Sequence, residues 1–302
     1  MIKVYKHYKY HYDFECVFKF LDVEYVSEPA LANYVALSGN YDETIFKDIH
    51  ERYNVVYSYI REARIDNVDT LHKQFLIPHP NLTVFSLTPF DIFNVKDNFV
   101  FDQFELDAYF RIFYKKECRA AKPIGVNKFL FLGGKPNKPN RQPLYELLDR
   151  TKGICTLHNL DSPDNVIIEN NHYLGYPYEE WLYNETSISL IAETHYRNNE
   201  MFFPTEKTYR AIANLHPFVI ASTPKFLNKL RKRGYKTFHT LFDESYDDEL
   251  NDDLRLTKVV SSLNNSMQIP YDKYKEICEH NKSVLISNAQ NTLRLIQNKL
   301  QI

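Results

Sequence analysis

"SISLIAETHYRNNEMFFPTEKTYRAIANLHPFVI", residues 187–220, holds two short apolar runs with a helix-forming segment between them. The first run, Ile188 to Ala192, is too short for a helix and too apolar for a surface loop, so it reads as a buried strand ending on Glu193 and Thr194. Thr205 then sits where an N-cap belongs, ahead of EKTYRAIANL, and Pro217 introduces a second apolar run, PFVIAS. Strand, helix and strand at this spacing is the unit from which parallel sheets are built.

The alternation extends in both directions. Upstream, KFLFLGG (Lys128 to Gly134) is a buried strand closed by Gly-Gly, and NRQPLYELLDRTKG (Asn140 to Gly153) reads as a helix with Gly153 just past its end. Downstream, PKFLNKLRKRG (Pro224 to Gly234) has proline at its start and glycine at its end, the usual asymmetry of a helix. The fold class expected is therefore α/β, a Rossmann-like parallel sheet with helices on both faces. G-x-G-x-x-G is absent, which removes the dinucleotide-binding version of it. The chain closes on one or two amphipathic helices from Tyr271 onward.

The first 110 residues also read as mixed α/β. VVYSYI (Val55 to Ile60) and NLTVFSL (Asn81 to Leu87) have strand composition, YDETIFKDIHERY (Tyr41 to Tyr53) is helical, and IPHPNL is a loop leading into a strand. Phe101 to Lys116 carries a helical apolar stripe that ends in positive charge, as the helix dipole favours. Tyr5, Tyr8, Tyr10 and Tyr12 alternate with Lys and His, a pattern that suits an edge strand or a surface on which bases stack.

Charge marks where the halves divide. The 302 residues balance to a net −2, but residues 1–110 carry 10 basic against 17 acidic side chains, whereas residues 111–141 carry nine basic against the single acid Glu117. A boundary placed there gives an N-terminal domain over 1–122, a second domain over 123–265 and C-terminal helices over 266–302. The four cysteines are far apart with no C-x-x-C spacing, which argues against a zinc site or a disulfide framework. No stretch approaches the roughly 20 apolar residues of a membrane span, and the N-terminus lacks the apolar core of a secretory leader. The expected location is cytoplasmic.

In open parallel sheets ligands gather outside the carboxyl ends of the strands, where this sequence places unusual polar residues. Gly133 and Gly134 follow one strand and lead to Arg141 at a helix start; Glu193 and Thr194 follow another; Thr205, Glu206 and Lys207 stand at the next helix mouth. A helix N-terminus attracts anions, Lys207 and Arg141 add full charges, and Glu206 beside them suits the paired hydroxyls of a ribose. A second reading stands beside this one, in which Glu206 and Lys207 are an ordinary solvated helix start and Arg141 a surface residue of a basic loop. Glu193, at the end of an apolar strand, requires a partner under either reading.

These segments, from Lys128 to Phe238, resemble the donor-binding half of the α1,3-fucosyltransferase-like glycosyltransferases, and more broadly short GT-B enzymes of phages and bacteria. The resemblance implies a GT-B fold with two Rossmann-like domains facing a cleft. It implies that Arg141 and Lys207 bind the diphosphate of a nucleotide sugar, that Glu206 binds its ribose, and that Glu193 lies beside the transferred sugar, with Thr194 and Thr205 completing the donor site. Thr194 stands where fucosyltransferases carry Asn, so GDP- and UDP-sugars both remain open. The implied chemistry is inverting transfer with no cofactor beyond the nucleotide sugar as co-substrate, and no metal. The catalytic base is unassigned among Glu15, Asp22, Asp102, Glu105 and Asp107 of the acceptor half. DDELNDD (Asp247 to Asp253), acidic enough to suggest a metal site, reads as a solvated turn.

The acceptor expected is a glycan, a lipid-linked sugar or a protein. The alternatives are hydroxymethylated DNA, or a nucleic-acid-binding protein without catalysis, either of which would use the basic loop 111–141 together with Lys225, Lys229, Arg231, Lys232, Arg233 and Lys236. The acidic N-terminal half opposes a polyanion.

Overall fold

Strands of four or five residues with unbroken apolar sequence can be satisfied only where both faces of a sheet are covered, which is the environment of a parallel sheet. The computed structural model describes residues 2–6, 20–21, 23–38, 55–59, 79–86, 95–100, 102–118, 127–134, 136–157 and 180–300, and every strand pairing among them is parallel. The chain divides into two units, one made of Met1–Leu106 with Ala289–Ile302 and the other of Asp107–Asn288.

Unit 1 holds a six-stranded sheet among its described residues. The strands are β1 (Ile2–Lys6), β2 (Val23–Val26), β3 (Tyr34–Ser38), β4 (Val55–Tyr59), β5 (His79–Ser86) and β6 (Val95–Val100), ordered β2-β1-β3-β4-β5-β6. The edge-strand reading of the N-terminus is corrected here. β1 pairs with β2 on one side, Ile2 opposite Val23, and with β3 on the other, Val4 opposite Tyr34, so Tyr5 lies on an interior strand. Tyr8, Tyr10 and Tyr12 and the helix expected at Tyr41 to Tyr53 lie outside the described residues. IPHPNL is also corrected: β5 already begins at His79, and its register against β6 slips between His79 and Thr83, around Pro80, which has no N–H to give a ladder.

Helix α1 (Gln103–Phe113) follows β6, and Arg111 in its last turn bonds Asp107 at 2.9 Å and Glu117 at 3.1 Å. In unit 2 come β7 (Phe129–Leu132), α2 (Arg141–Leu147), β8 (Gly153–Thr156), α3 (Glu180–Asn184), β9 (Ile188–Ala192), α4 (Glu206–Ala213), β10 (Phe218–Ala221), α5 (Phe226–Lys232) and α6 (Asp252–Ser266), before the long α7 (Tyr271–Leu300). The sheet order is β10-β9-β7-β8. From β7 the chain moves outward to β8, then returns to the other side of β7 for β9 and continues to β10. The winding therefore reverses between β7 and β9, and the crevice outside their carboxyl ends is the topological switch point.

The helix expected from Asn140 to Gly153 is shorter than its sequence suggests. α2 ends at Leu147, a 3₁₀ turn over Arg150–Lys152 follows with the Asp149 carboxylate capping Thr151 N–H, and Gly153 opens β8 in extended conformation. Glycine is required there by packing, since a Cβ at 153 would lie 2.6 Å from the Phe129 ring on the neighbouring strand. Gly134, by contrast, has a φ of 70°, and ends the strand-loop in a left-handed conformation that glycine adopts without strain.

α4 stops where Leu215 takes a left-handed φ of 56° and His216 turns inward. His216 Nε2 donates to the Thr186 carbonyl at 2.9 Å and its Nδ1 accepts from Ser189 Oγ at 2.7 Å, which fixes a neutral tautomer and ties β9 to the start of β10. Burial holds the imidazole down to about 4, with the Thr186 bond partly opposing. Because the folded value lies below the unfolded one, protons bind the unfolded chain first, and the contribution of neutral His216 is lost as pH falls from about 6.5 toward 4. The stability advantage of wild type over His216→Gln is expected to shrink by about 2 kcal/mol between pH 7 and pH 5. Chemical denaturation of both proteins at the two pH values measures this, and a gap that does not change would show that His216 does not titrate below its ordinary value.

Among the described residues no helix is long and apolar enough to cross a membrane. Cys118, Cys155 and Cys278 are buried free thiols, and Cys16 lies outside the described residues.

Candidate functional site

Glu193 is the first residue after β9, and its peptide still belongs to the sheet, donating to the Ala221 carbonyl at 3.1 Å. Its side chain is fully buried. A carboxylate placed there needs donors, and the next helix supplies them. Thr205 N–H donates to Oε1 at 3.0 Å, Thr205 Oγ1 to Oε2 at 2.5 Å, and Thr208 Oγ1 to Oε1 at 2.6 Å. Burial pushes the Glu193 carboxyl up, opposed by the charge of Lys207 and by the three bonds. The strand end thus grips the mouth of α4 and fixes how that mouth faces the switch point.

Thr205 caps α4 as its sequence predicts: its backbone is extended and its hydroxyl accepts from Lys207 N–H at 3.4 Å. Glu206 and Lys207 follow in the first turn. They are ion-paired at 2.6 Å with side chains only 14% and 11% exposed, so the reading of a solvated helix start is overturned. Burial alone would raise the Glu206 carboxyl, but Lys207 and Arg210 more than offset it and hold it at about 2. Arg210, one turn further on and itself buried, was not picked out from the sequence; its burial follows from its place on the core-facing side of α4.

On the other side of the switch point, Arg141 begins α2. It is buried, which corrects its reading as a surface residue of a basic loop. Asn140 just before it was missed altogether. Its side chain is fully buried, and Nδ2 donates to the Glu193 carbonyl at 3.1 Å and to the Ala221 carbonyl at 3.2 Å. The structure therefore gathers Asn140, Glu193, Thr205, Glu206 and Lys207 into one bonded cluster, with Arg141 next to Asn140 and Thr194 buried next to Glu193 by the chain.

The loop between Glu193 and Thr205 is fastened from below. Ser222 Oγ donates to the His195 carbonyl at 3.1 Å, and the buried Arg255 donates to the carbonyls of Tyr196 and Glu249 at 2.6 and 2.7 Å. Arg255 thereby joins the two walls of a shallow cleft of about 710 Å³, lined by Arg197, Asn198, Asn199 and residues 250–253. The acidic run beside it is not simply a solvated turn. Asp247 is buried and accepts from Leu227 N–H and Asn228 N–H at 2.8 and 3.1 Å, capping α5 from 20 residues away, because Lys225 at the cap position is left-handed and gives no side-chain cap. Among the described residues no three His, Cys, Asp or Glu side chains come together as a metal-binding group.

The basic stretch after β10 is partly neutralised. Arg231 bonds Thr237 and Glu244, and Lys236 pairs with Glu276. Lys225, Lys229 and Lys232 are exposed. Of the candidate catalytic acids, Glu15 and Asp22 lie outside the described residues, and Glu105 and Asp107 are buried on α1, where Asp107 is engaged by Arg111.

No protein-family model matches the chain, and no curated protein matches its sequence. Among solved structures it is similar to an α1,3-fucosyltransferase, at 11% identity and a TM-score of 0.47. It is also similar to α1,3-fucosyltransferase with GDP, at 12% and 0.46, and with GDP-fucose, at 13% and 0.42. Each similarity covers 94% of this chain and 90% of the other.

Proposed function

We propose that the protein is a glycosyltransferase that takes its sugar from a nucleoside-diphosphate donor, with unit 2 as the donor-binding unit. The observation that carries this reading is the largely buried Glu206–Lys207 pair at the mouth of α4, which a fully buried Glu193 holds at the switch point of a parallel sheet. Taking an ion pair out of water is costly unless close geometry and further hydrogen bonds repay it. A helix mouth carrying a cation is suited to a diphosphate, and a carboxylate beside it is suited to vicinal hydroxyls.

In this reading Lys207 exchanges Glu206 for the donor phosphates when the nucleotide binds, Glu206 turns to the ribose, and Arg141 meets the diphosphate from the start of α2. Thr205 presents the helix mouth, and Glu193 and Thr194 form the strand end on which the donor rests. Transfer then requires charge stabilisation of the departing diphosphate, and each preorganised cationic donor contributes on the order of 3 kcal/mol. The acceptor is a hydroxyl of a glycan, a lipid-linked sugar or a protein. A DNA acceptor would draw on the exposed Lys225, Lys229 and Lys232, and the acidic balance of residues 1–110 opposes it.

The test is thermal denaturation with GDP, UDP, dTDP, CMP and their sugars. A nucleotide at about 100 times its dissociation constant is expected to stabilise the protein by about 2.7 kcal/mol, and the base that does so names the donor. Silence across all of them, with salt-dependent binding to DNA instead, would replace this reading by the nucleic-acid one.

A further inference from the structure

Asn140 bridges the crevice of unit 2 at its switch point. It stands at the end of the loop from β7, yet its amide is spent on the far side, on the carbonyl of Glu193 just past β9 and on the last carbonyl of β10. An Asn amide has two N–H groups, so both bonds form together, and the Ala221 carbonyl has lone pairs for Asn140 Nδ2 as well as Glu193 N–H. Oδ1 is buried without a hydrogen-bond partner among the described residues, so the two carbonyls alone set which way the amide faces. At Glu193 the link continues, since its carboxylate holds Thr205 N–H and Thr205 Oγ1, and that hydroxyl accepts from Lys207 N–H. One chain of hydrogen bonds thus runs from the residue before Arg141 to Lys207, through elements that the sequence separates by more than 60 residues.

We propose that Asn140 is a positioning residue that sets Arg141 against Lys207, so that the two cations on opposite sides of the crevice act on one diphosphate. The proposal rests on the donor-site reading above. A helix as short as α2 is weakly held by its own hydrogen bonds, so bonds from its N-cap residue to other elements help to fix where it starts. Asn140 makes those bonds to the ends of two strands of the sheet. A misplacement of about 1 Å is enough to cost an order of magnitude or more in a charge-positioned site.

The experiment compares the affinity of uridine with that of UDP, and of guanosine with that of GDP, by calorimetry in wild type, Asn140→Ala, Arg141→Ala and the double variant. The quantity read is the gain from adding the diphosphate to the nucleoside. Asn140→Ala is expected to cut that gain about tenfold while leaving nucleoside affinity in place, and to cut it no further once Arg141 is gone. General loosening of the fold would instead weaken nucleoside and nucleotide alike. Asn140→Ser keeps one donor and is expected to fall between; it carries the same cycle if Asn140→Ala does not fold. A gain unchanged in the Asn140 variant, or losses that add in the double variant, would overturn this inference alone. A wild-type protein that binds none of the nucleotides would overturn the donor-site reading and this inference with it.

Discussion

Lys207→Ala is expected to lower affinity for the cognate nucleoside diphosphate by about a hundredfold, the value of one strong charge-assisted contact. Unlike a surface substitution, it is also expected to destabilise the protein. Lys207 lies against Glu206 at 2.6 Å with both side chains largely covered, and its removal leaves a carboxylate with one fewer partner in a poorly solvated place. The cost is about 2 kcal/mol, or roughly 3 °C for a chain of this size. A companion variant separates the two effects. Adding Glu206→Gln removes the orphaned charge, so melting should recover while affinity does not. Wild-type nucleotide affinity in Lys207→Ala would end the assignment of this residue to the diphosphate.

The second large effect belongs to Glu193. Replacement by Ala leaves Thr205 N–H, Thr205 Oγ1 and Thr208 Oγ1 without their acceptor in a fully buried position. With each stranded donor worth about 1–3 kcal/mol and partial rescue by rotation of the two hydroxyls, a loss of about 4 kcal/mol is expected, seen as a fall of roughly 6 °C in melting temperature. Glu193→Gln keeps one acceptor oxygen and should lose about half as much. Its deficit carries a pH signature. Burial raises the Glu193 carboxyl, so wild type gives up part of its stability as pH rises through that elevated value, whereas glutamine does not titrate. The gap between the two proteins should therefore narrow as pH rises. A Glu193→Ala protein as stable as wild type would mean that the α4 mouth is held by something else.

The parts of unit 2 that were legible in the sequence are those where one residue type has one physical use. ISLIA and FVIA are too apolar to be anything but buried strands, and Thr205 caps its helix because threonine ahead of a helical run has few other reasons to be there. The misreadings share a cause as well. Gly153 looks like a helix terminator and is a strand residue, because what demands it is the Phe129 ring of a neighbouring strand, a contact with no local trace. Asp247 looks like part of a solvated acidic run and caps a helix that begins 21 residues earlier. Tyr5 looks like part of an edge strand because polar residues flank it, and β1 is interior only because β2 and β3 both come to it. Within the candidate site, Glu206 and Lys207 stood out by type and place. Asn140 did not, since an asparagine beside a proline in a loop is ordinary, and its role is set by two backbone carbonyls 53 and 81 residues away.

Unit 1 is not a contiguous stretch of chain. It combines residues 1–106 with 289–302, and Leu300 near the end of α7 accepts a hydrogen bond from the Tyr34 hydroxyl on β3. Unit 2, encoded later, is contiguous from Asp107 to Asn288. Order of synthesis and order of completion are therefore opposed. The strands of unit 1, from Ile2–Lys6 to Val95–Val100, are made before any of unit 2, yet unit 1 is complete only once residues 289–302 have followed the whole of unit 2.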